Sequence, residues 1–526
     1  MNIVNKNYSF PDLLILFFLI LTFKISFFFS GFILEDSFIV FRSAFNYADF
    51  GKFSYNLDEL NSATTSKIFG LICAFLRIIF QEYAILSIIA FNSIISFFSS
   101  LFILLSIKNL INENQTFSKE LLYFITILIF LNPSILIIGI VGLEFSILVF
   151  FISLIFFAIS KNSKSLLLFA VFIPLIRVEL IGFILIVSFC YLYFLKFKQF
   201  FLIIIVGIIG VLLNGYLNNI YDGFFFPGPA VSKWNTLGSS SIFSASRILD
   251  DLHFWFLGSR SFFMGIYSKF MPSIVPLSFA IFIIILSFYN FRFLLFKKFI
   301  KLDVKKKIYL LSISGSIIFL PLSYVLGGHI WDWYLYPYSF LSYILLTIFI
   351  INLKNFKKLI LPVITILIFL NIFQFAILKN IGFQENSYRS VIGKDVFNLS
   401  NFPETDTLFL EPAGYVPYFA KIKTFDTVGL SSPEILKYRN KNNIRWWLDF
   451  IEDKRPTFIL DRSNIYNGYS HDGEYSLTDA ELKWFLRNYN LVKKYNYHTY
   501  VSNYSGSLES FYKLGNHSDY FLYKKK

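Results

Sequence analysis

Residues 31–66 read GFILEDSFIVFRSAFNYADFGKFSYNLDELNSATTS and follow the first hydrophobic run of the chain. Two adjacent carboxylates, Glu35 and Asp36, stand where a membrane helix would emerge into water. They could cap the N-terminus of the next helix, because negative charge is favoured at that end of the helix dipole. They could also act chemically, because carboxylates at the edge of a bilayer are costly and often mark active positions. In that case one of them could take a proton from a hydroxyl group, as general bases do.

The segment after the acidic pair has the spacing of an amphipathic helix. Phe38, Phe41 and Phe45 recur on one face, which we expect to press into lipid headgroups. Two helices, at about 36–50 and 64–80, are therefore predicted to lie along the outer surface of the membrane rather than to cross it.

Composition places the chain among membrane proteins. It has 526 residues, of which 56% are hydrophobic and 70 are phenylalanine, and its mean hydropathy is +0.62. Ordinary soluble cores could not hide that much apolar surface, so most of the chain should be solvated by lipid. The net charge of +14 comes from lysines in short clusters, and no basic soluble face suits nucleic acid. We predict a polytopic α-helical membrane protein without a nucleic-acid partner.

Hydrophobic runs of about 20 residues predict about eleven transmembrane helices, the first of them uncleaved. The run at 166–195 is interrupted by Arg177 and Glu179, and we divide it there into two short crossings. The other predicted crossings lie at about 10–31, 82–107, 119–139, 143–160, 199–220, 272–295, 307–326, 334–353 and 358–378.

The placement of lysines orients these crossings. Basic residues cluster in alternate connections, whereas the connections 132–143 and 327–333 contain no Lys or Arg. By the positive-inside rule, the N-terminus is cytoplasmic and the C-terminus lies outside. Residues 31–66, the 222–271 loop and the whole tail are thereby predicted to be extracytoplasmic.

From about residue 381 the composition becomes that of a soluble domain. The sequence therefore predicts a membrane domain over 1–380 and a small extracytoplasmic α/β domain over 381–526. A Thr478-x-x-Glu481 capping box marks the start of one of its helices. The predicted strands are 407–412, 421–427 and 456–461, and the predicted helices are 433–453 and 477–489.

Several chemistries lack their sequence signals. The two cysteines, Cys73 and Cys190, lie in hydrophobic stretches and provide no disulfide framework. No P-loop, no Gly-rich dinucleotide loop and no zinc-type spacing occurs. A nucleotide-sugar donor would need a cytoplasmic nucleotide-binding fold, and the cytoplasmic loops are too short for one. We expect no nucleotide cofactor, whereas a divalent cation could bridge the acidic pair.

Residues 35–56, followed by Ala63-Thr64-Thr65-Ser66, resemble the first outer loop of bacterial C-type (GT-C) glycosyltransferases, especially the arabinofuranosyl- and mannosyltransferase-like members. The pattern of these enzymes is an acidic pair, an aromatic-Ile-x-Phe-Arg-Tyr helix, a Gly-x-Gly turn and a Thr-Ser before a second surface helix. This chain departs from it at Lys52, since its turn reads only Gly-Lys.

Further matches to this family follow in the same order along the chain. Val141–Phe145 resembles a Thr-Gly-Met-Glu-Thr signature, and Arg177-Val178-Glu179 resembles an Arg-Pro-Glu-Gly signature in which Val replaces Pro. The remaining matches are Tyr221–Lys233, which resembles an outer-loop signature, and Glu411–Tyr418 with Asp426–Leu430, which resemble a segment of the C-terminal domains.

The resemblance implies an inverting glycosyltransferase that moves a sugar from a polyprenyl-phosphate donor to an envelope glycan or lipid. It implies the bacterial inner membrane, a periplasmic active site, and Glu35 or Asp36 as the base, with Glu35 slightly favoured. Arg177 and Lys233 would bind the donor phosphate. The residues expected to line the substrate cavity are Arg42, Glu144, Glu179, His329, Trp331, Asp332 and Tyr336.

Two of these assignments have structural alternatives. Arg177 could form an ion pair with Glu179 or Glu144, because an Arg at the mouth of two short helices is costly unless it is paired or binds an anion. The aromatic residues of 327–337 could form an interfacial belt rather than a substrate wall.

Two other function classes remain open at this point. A transporter or flippase for lipid-linked oligosaccharides would be expected to carry charges near the midplane and inverted repeats, and neither is visible. A non-catalytic envelope scaffold would use the membrane part as an anchor and the tail to bind a partner.

Overall fold

The structure is a computed structural model of the chain. It describes residues 10–110, 119–237, 281–290, 303–327, 332–351, 356–439, 445–470, 475–513 and 518–526.

Helices account for most of the described residues before the C-terminal sheet. They are α1 (Phe10–Phe28), α2 (Glu35–Phe50), α3 (Lys67–Phe80), α4 (Ala84–Leu110), α5 (Lys119–Phe130), α6 (Pro133–Ile138), α7 (Phe145–Lys161), α8 (Ser165–Ile176), α9 (Ile181–Tyr193), α10 (Phe197–Asp222), α11 (Gly228–Leu237), α12 (Ile281–Asn290), α13 (Val304–Gly327), α14 (Tyr336–Ile351), α15 (Phe356–Gly382) and α16 (Ser390–Leu399).

Three helical stretches in the described residues are long and apolar enough to cross a bilayer: Lys67–Leu110, Phe197–Asp222 and Lys357–Leu399. Shorter apolar helices, such as α7 and α14, coincide with other predicted crossings. Of the crossing predicted at 272–295, only 281–290 lies within the described residues. The class of a mostly helical protein with membrane-spanning segments is thus supported, and the number of eleven crossings stays a prediction.

Two interruptions of the helices follow from local sequence. The predicted crossing 119–139 is divided, because Asn132 accepts a hydrogen bond from Ser134 N and caps a new helix that has Pro133 in its first turn. The break predicted at Arg177 is confirmed. Its backbone is extended, with φ −143° and ψ 111°, between α8 and the 3₁₀ turn that leads into α9.

The second of two compact units combines distant parts of the sequence. One unit takes its residues from 1–30, 86–216 and 243–377, and the other from 31–85, 217–242 and 378–526. We call the latter the tail unit, because it contains the C-terminal domain. The acidic pair therefore belongs to the same unit as the residues of the tail.

A mixed five-stranded sheet forms the centre of the C-terminal domain. Its strand order is β2-β1-β3-β7-β6, in which β1 is parallel to β2 and β3, and β7 is antiparallel to β3 and β6. The strands are β1 (Thr407–Leu410), β2 (Lys423–Asp426), β3 (Phe458–Asp461), β4 (Tyr469–Ser470), β5 (Tyr475–Ser476), β6 (Tyr489–Tyr495) and β7 (Tyr520–Lys525), of which β4 and β5 pair separately.

Both faces of this sheet are covered, as the alternation of side chains along a strand requires. Leu408 and Leu410 of β1 pack on one face with Tyr388 and α16, whereas Phe409 packs on the other face with Trp447. The other helices of the domain are α17 (Tyr415–Ala420), α18 (Trp446–Lys454), α19 (Asp479–Asn488), α20 (Tyr497–Tyr504) and α21 (Glu509–Tyr512).

The three predicted strands are confirmed, and the fourth and fifth strands of the sheet were not anticipated. The prediction of one helix over 433–453 is wrong. A 3₁₀ turn at Pro433–Lys437 buries Ile435, and α18 begins separately at Trp446 and buries Trp447, so the two segments reach the core independently.

The capping box of α19 is present and gives a stability test. Thr478 Oγ1 accepts from Glu481 N, and Glu481 Oε2 accepts from Thr478 N at 2.8 Å. We expect Thr478→Ala to lower the free energy of unfolding by about 1 kcal/mol, because the backbone N–H of Glu481 loses its acceptor. Thermal unfolding of the purified chain measures this, with Thr478→Ser as the matched control. Equal midpoints for the Ala and Ser variants would contradict the prediction.

Candidate functional site

The acidic pair begins α2, as the sequence predicts. Both Glu35 and Asp36 lie in the first turn of the helix, after Leu34, whose side chain supplies no cap. The helix ends at Gly51 with φ +73°, a left-handed conformation that favours glycine, which explains the glycine of the turn that follows. The charge of the pair is thus placed where the helix dipole stabilises it.

Glu35 is engaged by three donors within the tail unit. Its Oε1 accepts from Gly414 N at 2.8 Å and from Tyr415 N at 2.9 Å. Its Oε2 accepts from Arg389 Nη1 at 2.7 Å. Tyr415 also donates its hydroxyl to Ile33 O at 2.7 Å. Through these contacts Glu35 anchors the start of α2 to the C-terminal domain.

A third carboxylate, Glu385, stands beside this pair. It lies in a π-helical turn, Phe383–Arg389, and its Oε1 is 3.6 Å from Arg389 Nη1. The turn follows the apolar part of the long helix 357–399, which needs only about 20 of its residues to cross a bilayer. We therefore place Glu385 outside the membrane-spanning segment.

The pKa of Glu385 is raised to about 7, chiefly by burial, with a further contribution from the carboxylates of Glu35 and Asp36 and with Arg389 opposing the shift. Glu385 Oε2 is buried and, within the described part of the chain, has no hydrogen-bond partner. Glu35 and Glu385 thus share the guanidinium of Arg389, and Glu385 holds a proton near neutral pH. π-Helical turns of this kind often occur at functional sites.

The sequence did not single out Glu385 or Arg389. The signal available in the sequence is an acidic and a basic residue four positions apart, at the polar end of a long apolar helix. No group of three His, Cys, Asp or Glu side chains suited to a metal ion occurs in the described residues.

The predicted orientation of the α2 phenylalanines is wrong. Phe38, Phe41 and Phe45 are buried, and Phe38 lies 4.0 Å from the ring of Tyr415 and 5.1 Å from that of Tyr418, between centroids. They pack against α17 of the same unit rather than against lipid. The exposed apolar face belongs to α3, where it is formed by Phe75, Ile78 and Ile79.

Arg42, predicted to line a substrate cavity, binds backbone oxygens of the tail. It donates to Tyr55 O at 2.9 Å and to Pro417 O and Ile422 O at 2.7 Å each. Its guanidinium also lies 4.4 Å from the centroid of the Tyr55 ring. Arg42 therefore joins α2, the following turn and α17.

Two segments of the predicted motif meet in a buried ion pair. Lys67 Nζ lies 2.6 Å from Asp222 Oδ2, and both side chains are 1% exposed. Lys67 also donates to Thr64 O, while Asp222 accepts from Ser62 N and Gly228 N. Lys67 follows the Thr-Thr-Ser sequence directly, but the sequence reasoning passed over it. Such a pair is costly to break from either side.

Arg177 belongs to the other compact unit. Its Nη1 lies 2.8 Å from Glu144 Oε1, and its Nε lies 2.6 Å from Glu179 Oε1. The guanidinium is 4.5 Å from the ring centroid of Tyr334 and 5.3 Å from that of Phe145. The ion-pair alternative is therefore observed with both carboxylates, and a phosphate role for Arg177 stays a prediction.

The remaining predicted residues are described unevenly. Tyr336 is buried, with its ring edge on Phe145 at 5.4 Å between centroids. Only the backbone is described for Lys233, in α11, and for Asp332, in a 3₁₀ turn. His329 and Trp331 lie outside the described residues.

The predicted site residues divide between the two compact units. Glu35, Asp36 and Arg42 lie in the tail unit, whereas Glu144, Arg177 and Glu179 lie in the other.

Comparison with known proteins adds one match. A family model described as "Domain of unknown function (DUF8728)" matches residues 379–519, from the end of α15 to the start of β7. No curated protein and no solved structure matches the chain.

Removal of the Glu35 charge should destabilise the protein. We expect Glu35→Gln to lower the free energy of unfolding by about 3 kcal/mol, because it leaves Arg389 beside one weaker partner. In an Arg389→Met background the same change should cost clearly less, since the paired charge is already gone. Thermal or urea unfolding of the wild type, the two single variants and the double variant measures the coupling energy between Glu35 and Arg389. Additive effects of the two substitutions would contradict the assigned pair.

Glu385 should make stability depend on pH. Its pKa in the folded protein exceeds the ordinary value of 4.5, so the folded state retains the proton over the intermediate range. The stability that this proton provides is complete below about pH 4.5 and is lost as the pH rises through about 7. We expect Glu385→Gln to flatten this decline and to raise the unfolding midpoint at pH 8. Glu82→Gln, at an exposed carboxylate, is the control and should leave the pH profile unchanged.

Proposed function

We propose that the protein is a lipid-linked glycosyltransferase that moves a sugar from a polyprenyl-phosphate donor to an envelope glycan or glycolipid. The proposal starts from the ordered resemblance to GT-C enzymes. It is supported by the cluster of Glu35, Asp36 and Glu385, in which two carboxylates contact Arg389 and the third lies close to Glu385. The membrane arrangement that we propose has about eleven crossings, a cytoplasmic N-terminus and a periplasmic C-terminal domain in a bacterial inner membrane.

Within this proposal, Asp36 is the general base. Glu35 accepts hydrogen bonds from two backbone N–H groups and from Arg389, so its oxygens are already occupied. This observation supports an anchoring role for Glu35, and we propose its neighbour as the base. Asp36 occupies the next position of the same helical turn, is half-buried, and lies close enough to Glu385 for its charge to help raise the pKa of that carboxyl.

The proposed step is a direct displacement. An acceptor hydroxyl oxygen attacks C1 of the donor sugar, and the bond from C1 to the phosphate oxygen breaks. The hydroxyl proton passes to Asp36, and polyprenyl phosphate leaves with the electron pair. Inversion at C1 follows from a single displacement.

The donor phosphate is the second part of the proposal. Arg177 is the proposed phosphate ligand, assisted by Lys233, because a guanidinium suits phosphate oxygens. Its two carboxylate partners differ, since the side chain of Glu144 is 1% exposed and that of Glu179 is 22% exposed. Glu179 is therefore the partner that an arriving phosphate would displace, while Glu144 would keep Arg177 in place.

Replacing each acid with its amide distinguishes the proposed base from the anchor. We expect Asp36→Asn to lower transfer from synthetic polyprenyl-phosphate sugars by about 10²- to 10⁴-fold without a matching loss of stability, as removal of a general base does. Glu35→Gln should lower the unfolding midpoint, and the activity of its folded fraction should fall less. The measurement is product formation with purified chain and envelope acceptor extract. Undiminished transfer by Asp36→Asn would overturn the mechanism.

A further inference from the structure

A cavity of about 540 Å³ opens within the tail unit, away from the acidic pair at the other end of α2. Its walls are the C-terminal half of α2, the turn at 55–58, Arg77 of α3 and residues 418–423. The volume falls within the range of about 300–1,000 Å³ that is usual for small-molecule sites. No residue role assigned so far explains why this space is kept open.

Aromatic side chains form part of the wall. Phe45 and Tyr418 lie with centroids 6.0 Å apart in an edge-to-face arrangement, and both are held by the packing of α2 on α17. Phe50, the last residue of α2, is 64% exposed at the same cavity. The cavity thus offers fixed rings inside and one accessible ring to an arriving ligand.

Most charges at the cavity are already neutralised or saturated. Asp49 and Arg77 form a two-bond pair at 3.1 and 3.0 Å. Lys423 Nζ lies 2.5 Å from Asp58 Oδ2. The five donors of Arg42 point to carbonyl, hydroxyl and amide oxygens of the protein. A phosphate or other strong anion would have to displace these contacts or rely on Lys421, which also lines the cavity.

Among the described residues, a smaller set of polar groups at the cavity has hydrogen-bond donors or acceptors that no other protein group uses. Asn46 donates its amide to Ser54 O and Tyr55 O, which leaves Oδ1 as an unused acceptor. The hydroxyl of Tyr418 and the carboxylate of Glu404 make no hydrogen bond in the described part of the protein. Burial raises the pKa of Tyr418 to about 12, so its hydroxyl stays protonated and can donate.

We propose that this cavity binds a short neutral oligosaccharide. Sugar hydroxyls both donate and accept, which matches an amide oxygen, a phenol and a carboxylate. The C–H face of a sugar ring is apolar and packs on Phe45, Phe50 and Tyr418. Spare acceptors and a phenol donor, set beside fixed rings and among charges that are mostly paired, favour a polyol over an anion.

The location of the cavity on α2 indicates what the bound ligand would do. The cavity and the acidic pair are both carried by α2, so an acceptor glycan held in the cavity would be positioned by the helix that presents Asp36. This role, unlike the binding itself, rests on the proposed glycosyl transfer.

The test uses the full chain in a detergent without a sugar headgroup. Saturation-transfer NMR and titration are carried out with a panel of neutral pentose and hexose oligosaccharides, with inorganic phosphate, and with short peptides. We expect saturable binding of at least one neutral oligosaccharide. Tyr418→Phe removes only the hydroxyl and should weaken binding about 3- to 10-fold, and Phe50→Ala should weaken it to a similar extent.

The matched control is Tyr83→Phe, at a tyrosine that is 62% exposed and does not line the cavity. It should leave the affinity unchanged. Failure of every oligosaccharide to bind, equal affinity of the wild-type and Tyr418→Phe chains, or binding of phosphate or peptide alone would each overturn the proposal.

Asp36→Asn separates this proposal from the proposed function. The substitution should abolish transfer and leave oligosaccharide affinity unchanged. Oligosaccharide binding in a chain that shows no transfer would retain the cavity assignment and reject the enzyme. Transfer whose KM for acceptor is unaffected by Tyr418→Phe would reject the cavity assignment and retain the enzyme.

Discussion

The contacts of Glu35 determine how the tail unit is built. One carboxylate accepts two backbone N–H groups from the start of α17 and a guanidinium from the π-helical turn, so three segments that are distant in sequence meet at one side chain. Gly414 is part of the same constraint, because a Cβ there would lie 2.2 Å from Glu35 O. A glycine at this point of the tail is therefore required by the close approach of α2. The same docking buries the phenylalanines of α2 and encloses the cavity beside them.

Each unit contains a buried ion pair, and the pairing has consequences for function. The Lys67–Asp222 pair is surrounded by hydroxyl and backbone partners, so it fixes the segment after α2 against the end of α10. Arg177 is held between two carboxylates of unequal exposure. Such pairs contribute little net stability compared with apolar packing, but removal of one partner is expensive because it leaves a charge without compensation. A site built from them is rigid until a competing ion arrives, and this is the condition that a phosphate-binding Arg177 would need.

The sequence predicted the elements whose periodicity is local. The helix after the acidic pair, the first three strands, the break at Arg177 and the Thr478 capping box each depend on neighbouring residues, and the structure has them. The sequence could not predict what covers the α2 phenylalanines, because helical spacing identifies an apolar face without showing whether lipid or protein lies against it. Strands β6 and β7 were missed because they are rich in Lys and Tyr, and their pairing is set by partners far along the chain. Glu385 was missed for a related reason, since its burial depends on α2 and not on its own helix.

We propose different roles for the two adjacent acids, a choice that the sequence alone left open. Two adjacent carboxylates in one helical turn cannot both face the same partners, because successive helical residues point about 100° apart. Glu35 faces the tail domain and is saturated there, so its chemistry is that of an anchor. Asp36 occupies the next position of the helix, close to Glu385, and is the base that we propose. On this argument the anchor and the proposed base are coupled through the backbone of α2, and a substitution at Glu35 should affect transfer by moving Asp36 rather than by removing a proton acceptor.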